Sequence, residues 1–398
     1  MKADAIVVGA GPAGAATAIL LAEAGRSVVV LDRAERPRPK ICGEYLSPEA
    51  ARVLDRLGVL KAVEAGGARP IRGMRITAPD GTTLTGTYQS VRGHHPYARH
   101  ALAVLRPTLD GALAERLRTL PVDFREGVRV TDVLVEGDRV VGVEAVGRDG
   151  WLGAIRAPVV VAADGRASVI AGRLGLRRPH RLRRMALVTY VAGVVECGDL
   201  GEIFVDPPDY AILNPVAPDR VNLSLVVPLA HVAPWSDRLP QFFAARVRQL
   251  PHLARRLAGA EVVAPIRAMG PLAYRVDRPR HGGVLLVGDA AGFYDPFTGE
   301  GIFAALRSAE LAVETVTRAL SAGDVSAAAL AGFERARRDA FRGKARVTRA
   351  LQAVIGRRWL ANATARLLAR RPGPLQALMG VIGDYVPPGE LLSRLRDR

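Results

Sequence analysis

The sequence predicts an α/β protein, α+β overall: a parallel nucleotide-binding sheet, interrupted by an antiparallel sheet and closed by a helical C-terminal segment. Three observations predict it. An apolar strand at the N-terminus runs into G-x-G-x-x-G. Two later apolar strands, near residues 159 and 284, run into Asp-Gly and Gly-Asp turns. The intervening stretches alternate apolar and polar residues, the period of half-buried strands.

Composition bounds the function classes. The 398 residues are 49% hydrophobic, enough for one large core or two to three coupled ones. No apolar run reaches the roughly 18 to 20 residues that a membrane span needs. The start, MKADAIVVGAGPAG, is too short in apolar residues for a signal peptide, so the cytoplasm is the expected location. Lys and Arg number 56 against 39 Asp and Glu, a net charge of +17. That excess serves solubility, or attracts anionic ligands or an anionic membrane surface. No zinc finger, RNP-type aromatic motif or lone recognition helix accompanies it, so no nucleic-acid partner is expected. Cys42 and Cys197 form no zinc or disulfide spacing.

Taken in order, residues 5–8 read as a buried strand. Gly9 allows the sharp turn, Gly11 lets a pyrophosphate approach the backbone, and Gly14 lets helix pack on strand. Pro12 and Ala13 open a helix, running to about Ala24, whose N–H groups face the phosphates. Ala18 and Gly25 extend the pattern to GxGxxGxxxAxxxxxxG. Asp32 ends the second strand and can accept from adenosine ribose hydroxyls, with Arg33 approaching adenine or ribose more loosely. This extended spacing resembles the FAD-binding type more than the NAD type, although many FAD enzymes have Glu where Asp32 stands.

PRPKICGEYLSPEA, residues 37–50, holds Cys42, which read alone is either a packing residue or a pocket residue. VVVAADGRASVI, residues 159–170, places Asp164 and Gly165 after a buried strand. In residues 282–312, Gly288 and Asp289 end a strand, and Asp289 is placed to accept from a ribitol hydroxyl. Pro296 shapes the next loop, and Gly299-Glu300-Gly301, followed by Ile302, opens a long helix whose N-terminus can stabilise negative charge on a flavin.

GAGPAG, ADGRAS and GDAAGFYDPFTGEGI together resemble the group A flavoprotein monooxygenase superfamily, typified by p-hydroxybenzoate hydroxylase. Within it, PRPKICGE and GDAAGFYDPFTGEGI are most similar to the geranylgeranyl reductase family, over about residues 1 to 335. The resemblance implies a Rossmann-type FAD-binding domain with an inserted antiparallel-sheet substrate domain. The expected division is 1–70, 101–180 and 276–335 for FAD binding, 71–100 and 181–275 for substrate, and 336–398 as a basic helical region.

It also implies non-covalent FAD with NAD(P)H as reductant, Arg106 near the FAD pyrophosphate, and the 37–50 segment beside the flavin ring. There Gly43 would let the backbone approach, while Cys42 and Glu44 are the candidate catalytic groups. The candidate pocket residues are Tyr45, His95, Tyr97, Tyr210, Asn214 and Phe297. The first expected reaction is NAD(P)H- and O2-dependent hydroxylation of a hydrophobic aromatic or polyketide-like molecule through a flavin C4a-hydroperoxide, a place in secondary metabolism. The alternatives are reduction of C=C bonds in an isoprenoid or lipid, and a flavin- or lipid-binding protein without turnover.

Two departures bear on that choice. Polyprenyl reductases carry YxWxFP, whereas this chain has Tyr210-Ala211-Ile212-Leu213-Asn214-Pro215. Asn214 reads as a turn residue or as a hydrogen-bond partner for a polar substrate group. The halogenase signature WxWxIP is absent, so halogenation is not expected. His94, His95 and His100 share a loop without a carboxylate partner, so no metal is expected. Residues 334–398 hold 15 Lys and Arg against 5 Asp and Glu. Their amphipathic helices either pack on the FAD domain or meet an anionic lipid surface.

Overall fold

A computed structural model describes residues 3–148, 150–195 and 198–396; Cys197 lies outside the described residues. Five strands form a parallel sheet in the order Val284–Leu286, Val159–Ala162, Ala5–Val8, Val28–Asp32 and Val122–Glu126. Three of them are unbroken Val, Leu, Ile and Ala runs, and Val28–Asp32 is one up to its final Asp32, because both sheet faces are covered. One face carries the helices Pro12–Glu23 and Gly301–Ser321, which insert Ile19, Leu306, Ala309 and Val316 against Val7, Val30 and Val161. The other face meets an antiparallel meander, Arg129–Glu136, Arg139–Gly147 and Gly150–Arg156, through Val130, Val143 and Ala145.

The second large sheet has eight strands and joins two separated stretches of chain. Its main path runs Glu261–Val262, Arg184–Ala192, Arg220–Pro228, Asp209–Ala217, Leu200–Asp206, Gly73–Thr77 and Thr83–Thr87. Arg267–Met269 pairs at the side of Arg184–Ala192. The one parallel pairing, Leu200–Asp206 on Gly73–Thr77, stitches the early insertion to the later one. Helices Leu239–Gln249 and Pro251–Arg256 cover one face, burying Phe242, Phe243 and Leu253 against Leu213, Leu223 and Leu225.

The C-terminal helices are Ala327–Ile355, Arg358–Arg370, Pro372–Ile382 and Pro388–Arg396. Only the start of the first packs on the parallel-sheet core, through Leu330 and Phe333. The rest covers the eight-stranded sheet: Leu368, Met379 and Ile382 pack with Met74, Leu84 and Tyr88. A Cβ on Gly86 would lie 2.3 Å from Met379 Cγ, so the helix sits directly on the strand. Packing on the FAD domain alone is therefore corrected. The apolar positions of these helices found their match on the uncovered face of the second sheet.

Candidate active site

The glycine-rich turn folds as its spacing dictates. Gly9 has φ +94°, and a Cβ there would meet Ala163 O at 2.6 Å. Gly14 touches the turn itself: its Cβ would stand 1.8 Å from Gly9 O. Gly11 is different, since a Cβ there would meet only Lys40 Nζ, at 3.8 Å. The space above it is open. Gly11 caps Pro12–Glu23 without a side-chain acceptor, so the first N–H groups of this helix remain available to an anion.

Cationic and anionic groups converge beside this opening. Lys40 lies in the cleft, open to solvent yet surrounded by protein, and burial and its neighbours Arg106 and Arg38 lower its pKa to about 8. Asp110 and Asp289 pull the other way. Asp289 sits in the Gly288–Ala291 turn, where Gly288 (φ +56°) packs on Ala13 and donates its N–H to Ser308 Oγ. Burial pushes the Asp289 carboxyl up, against Lys40, Arg166 and Arg106. Among the described residues no donor hydrogen-bonds that carboxylate. Asp164 accepts from Val169 N through Oδ2 at 2.7 Å, while its buried Oδ1 has no partner. Gly165 beside it has φ +76°.

Free acceptors, open helix N–H groups and a lysine with two arginines are the set a dinucleotide with ribityl hydroxyls requires. The residues present therefore fit FAD. Lys40 was not among the residues expected from sequence. Its contribution lies in the fold that returns residue 40 over Gly11, and only the K of PRPKICGE hinted at it.

Asp32 is placed as expected but employed otherwise. Ala10 N, Ala34 N, Arg36 and Arg38 supply four donors to its two oxygens, at 2.9 to 3.3 Å. The carboxylate anchors the turn, and a ribose would displace one of the arginines. Arg33 is exposed beside it. Arg106 is buried and bound twice over to Asp110, with its guanidinium also near Cys42.

Residues 42–44 form the opposite wall. Glu44 is 1% exposed and adopts φ +57°, a left-handed backbone rare for a non-glycine. Arg106 N and Tyr190 OH donate to its Oε1 at 3.0 and 2.9 Å, and Asn222 Nδ2 to its Oε2 at 3.2 Å. Burial still raises its pKa against those three bonds. A carboxylate so enclosed fixes the loop, so the expectation of a catalytic Glu44 gives way to an anchoring one.

Asn214 and Asn222 face each other across adjacent strands. Asn214 Nδ2 donates to Gly43 O (3.0 Å) and Glu44 O (2.9 Å), and Asn222 Nδ2 to Cys42 O (2.9 Å). Asn214 is thus no turn residue: its Nδ2 is spent on the loop, while its buried Oδ1 has no partner among the described residues. It sits mid-strand, clamping the loop to the sheet.

Cys42 is partly buried, and Glu44 N donates to its Sγ at 3.3 Å. Burial pushes the thiol pKa up, with Arg106 opposing, so at neutral pH it keeps its proton. A Cβ on Gly43 would meet nothing within 4 Å, leaving the loop's outer side open.

The remaining candidates divide. Tyr210 is fully buried, donates to Asp295 Oδ1 at 2.7 Å and meets Phe297 edge to face at 5.1 Å. Gln352, from the C-terminal region, donates to the same Asp295 oxygen at 2.7 Å. Pro296 O accepts from Gly299 N at 2.9 Å, turning the loop into the Gly301–Ser321 helix, where Ile302 enters the core. A Cβ on Gly299 would strike the Tyr45 ring at 2.6 Å. Tyr45 is itself core, its OH 2.6 Å from that of Tyr88. Glu300 caps the helix at 3.6 Å from Lys344 Nζ, which also pairs with Asp384.

His95 and Tyr97 lie on an exposed loop. His95 bonds Ser90 Oγ, and Tyr97 OH donates to Asp55. Among the described residues no group of three His, Cys, Asp or Glu could hold a metal.

A family model described as FAD binding domain matches residues 2–346. The chain is 31% identical over 342 residues to digeranylgeranylglycerophospholipid reductase 2 of Methanopyrus kandleri, covering 84% of this chain and 82% of the relative. It is 30% identical over 365 residues to a "probable electron transfer flavoprotein-quinone oxidoreductase" of Escherichia coli, covering 84% and 81%. The solved flavin-dependent brominase Bmp2 superposes with a TM-score of 0.84 over 100% of this chain and 99% of that one, at 20% identity. That last likeness concerns the fold alone.

Proposed function

The chain belongs to the FAD binding domain family and is a FAD-dependent oxidoreductase; from that premise we propose a reductase that saturates C=C bonds in an isoprenoid-like lipid, with a nicotinamide donor. The observation that carries the reading is the Cys42–Glu44 wall: a protonated thiol on a loop bolted to the substrate sheet by Asn214 and Asn222. The relatives named for a lipid reductase and a quinone oxidoreductase support it. The lost aromatic at position 214 weighs less against it once Asn214 is seen to hold the loop.

In this reading the Gly11 turn, Lys40 and Arg106 hold the FAD diphosphate, and Asp289 the ribityl chain. Bound FAD would supply two-electron chemistry. The chain does the rest. The Gly301 helix N-terminus favours negative charge near it. Cys42 Sγ keeps a proton that it can give to a substrate carbon. Asn214, Asn222 and Tyr190 hold that thiol in place.

A second reading, O2-dependent hydroxylation, draws support from a polar cluster: Arg184 lies over the Tyr210 ring, and its Nη1 and Asp295 Oδ2 are buried without partners. Such groups suit an oxygenated aromatic better than a hydrocarbon. Mass spectrometry of anaerobic turnover separates the two. A product two hydrogens heavier without O2 supports reduction; oxygen incorporation from 18O2, with no anaerobic product, overturns it.

No helix among the described residues is long and apolar enough to cross a membrane. For a greasy substrate we propose surface contact through Arg358–Arg370, where Trp359 is 68% and Leu367 43% exposed beside Arg366 and Arg370. Co-sedimentation with phosphatidylglycerol vesicles, but not with neutral ones, is the expected result. Equal binding to both, or to neither, removes the idea.

A further inference from the structure

The chain has one glycine-rich dinucleotide turn, and the FAD reading uses it. An electron donor with its own phosphates needs another site. The structure holds a basic groove of about 580 Å³ on the far side of the Asp289 turn. Arg166, Arg177, Arg178, Arg183, His180 and Tyr274 line it. It is built where Arg177–Pro179 pairs with Tyr274–Val276, which pairs in turn with Gly292–Phe293.

Two features mark it as more than a charged surface. Arg166 and Arg177 both place their guanidinium carbons 5.1 Å from the centre of the Tyr274 ring, so two like charges are gathered at one aromatic. Arg166 is fixed there by Leu272 O and Pro271 O, both backbone carbonyls, which orient the guanidinium without neutralising it. Among the described residues, the groove's one ion pair is Arg178 with Asp277, at 2.9 Å. Arg177 and Arg183 pair with no carboxylate there. Gathered guanidinium groups repel each other until an anion sits between them, and planar forks match phosphate oxygens best.

The groove also shares a wall with the flavin-side motifs. Arg166 follows Asp164-Gly165, and Tyr274 OH donates to the carbonyl of Asp289 at 2.5 Å. We propose that this groove binds the phosphates of the nicotinamide donor, and that its surplus of guanidinium groups selects NADPH, with its 2′-phosphate, over NADH. The proposal rests on the reading that a nicotinamide reduces this protein.

The test uses FAD-loaded full-length protein and the double variant Arg177→Ala/Arg183→Ala, both groups being exposed and outside the flavin cleft. Isothermal titration calorimetry with NADP+ and NAD+ gives Kd directly. Loss of two charge-assisted phosphate contacts should weaken NADP+ by about tenfold or more and NAD+ by less. The slope of log Kd for NADP+ against log salt should also flatten. FAD content and reduction by dithionite should stay as in the wild type. An NADP+ Kd within about twofold of wild type, or an equal loss for both nucleotides, overturns the proposal. A wild-type flavin that dithionite reduces but neither NADPH nor NADH reduces removes the underlying reading instead, and the groove's role with it. That failure is already visible without any variant.

Discussion

Around Gly11, Asp289 and Asp164, the first helix N–H groups, the Asp289 carboxylate and one of the two Asp164 oxygens have no side-chain or donor partner among the described residues. Around Glu44, both carboxylate oxygens and the carbonyls of residues 42 to 44 are each met by a donor. The two walls share one cleft but use their polar groups oppositely. An unmet buried acceptor costs stability unless a ligand fills it, so the first wall is built for binding. A met acceptor contributes to holding its own backbone, so the second wall, where only Asn214 Oδ1 is left over among the described residues, is built to stand still. Substitutions on the first side should therefore read out in FAD affinity, and those on the second in stability.

The largest effect should come where the walls are not separable. Gly14→Ala forces a Cβ to 1.8 Å from Gly9 O. A cost of about 3 kcal/mol or more is expected, with loss of both soluble yield and bound yellow cofactor. A variant that purifies with full flavin would break the account of the turn. Next, Asn214→Leu leaves the carbonyls of Gly43 and Glu44 without their side-chain donor. Chemical denaturation should show a loss of about 2 to 4 kcal/mol, with FAD Kd changed less than about threefold. An affinity loss without a stability loss would reverse the comparison.

Asp289→Ala should give the opposite signature, FAD binding weakened by about tenfold and apoprotein stability unchanged or raised, since burial already penalises this carboxylate. Fluorescence titration of the apoprotein with FAD measures it. The smallest effect is a pH dependence. Lys40 is protonated below about 8 and neutral above, so its attraction for the diphosphate is present at pH 7 and lost as pH rises through that value. FAD binding should weaken by about fivefold between roughly pH 7 and 9. Lys40→Arg, which stays charged, should flatten the profile. A profile equally steep in the variant would assign the titration to another group.

What the sequence made legible was the backbone. Gly9, Gly14, Asp32, Gly288 and Gly301 sit where their spacing put them, because local turns and strand ends depend on near neighbours. The partners of side chains were not legible. Asn214 and Asn222 find the Cys42–Glu44 loop across about 170 to 180 positions, and nothing in either strand announces that pairing. The spacing shows Asp32 at the strand end but not its arginine partners, because Arg36 and Arg38 look like ordinary loop charge. The amphipathic pattern shows that the C-terminal helices bury one side but not against what; Leu368, Met379 and Ile382 dock on the second sheet.

Asp295 joins three parts of the chain at one oxygen: its own loop through Phe297 N, the eight-stranded sheet through Tyr210, and the C-terminal region through Gln352. Lys344 adds a second tie, between Glu300 and Asp384. Both ties reach the loop that opens the Gly301 helix from residues well downstream of it in the chain. A nascent chain can form the glycine-rich turn early, since domains order as they emerge. It cannot complete the loop at Asp295 until Gln352, Lys344 and Asp384 have left the ribosome. The cofactor site is thereby assembled in two instalments, and a chain cut short after the parallel sheet would display the turn without the lock.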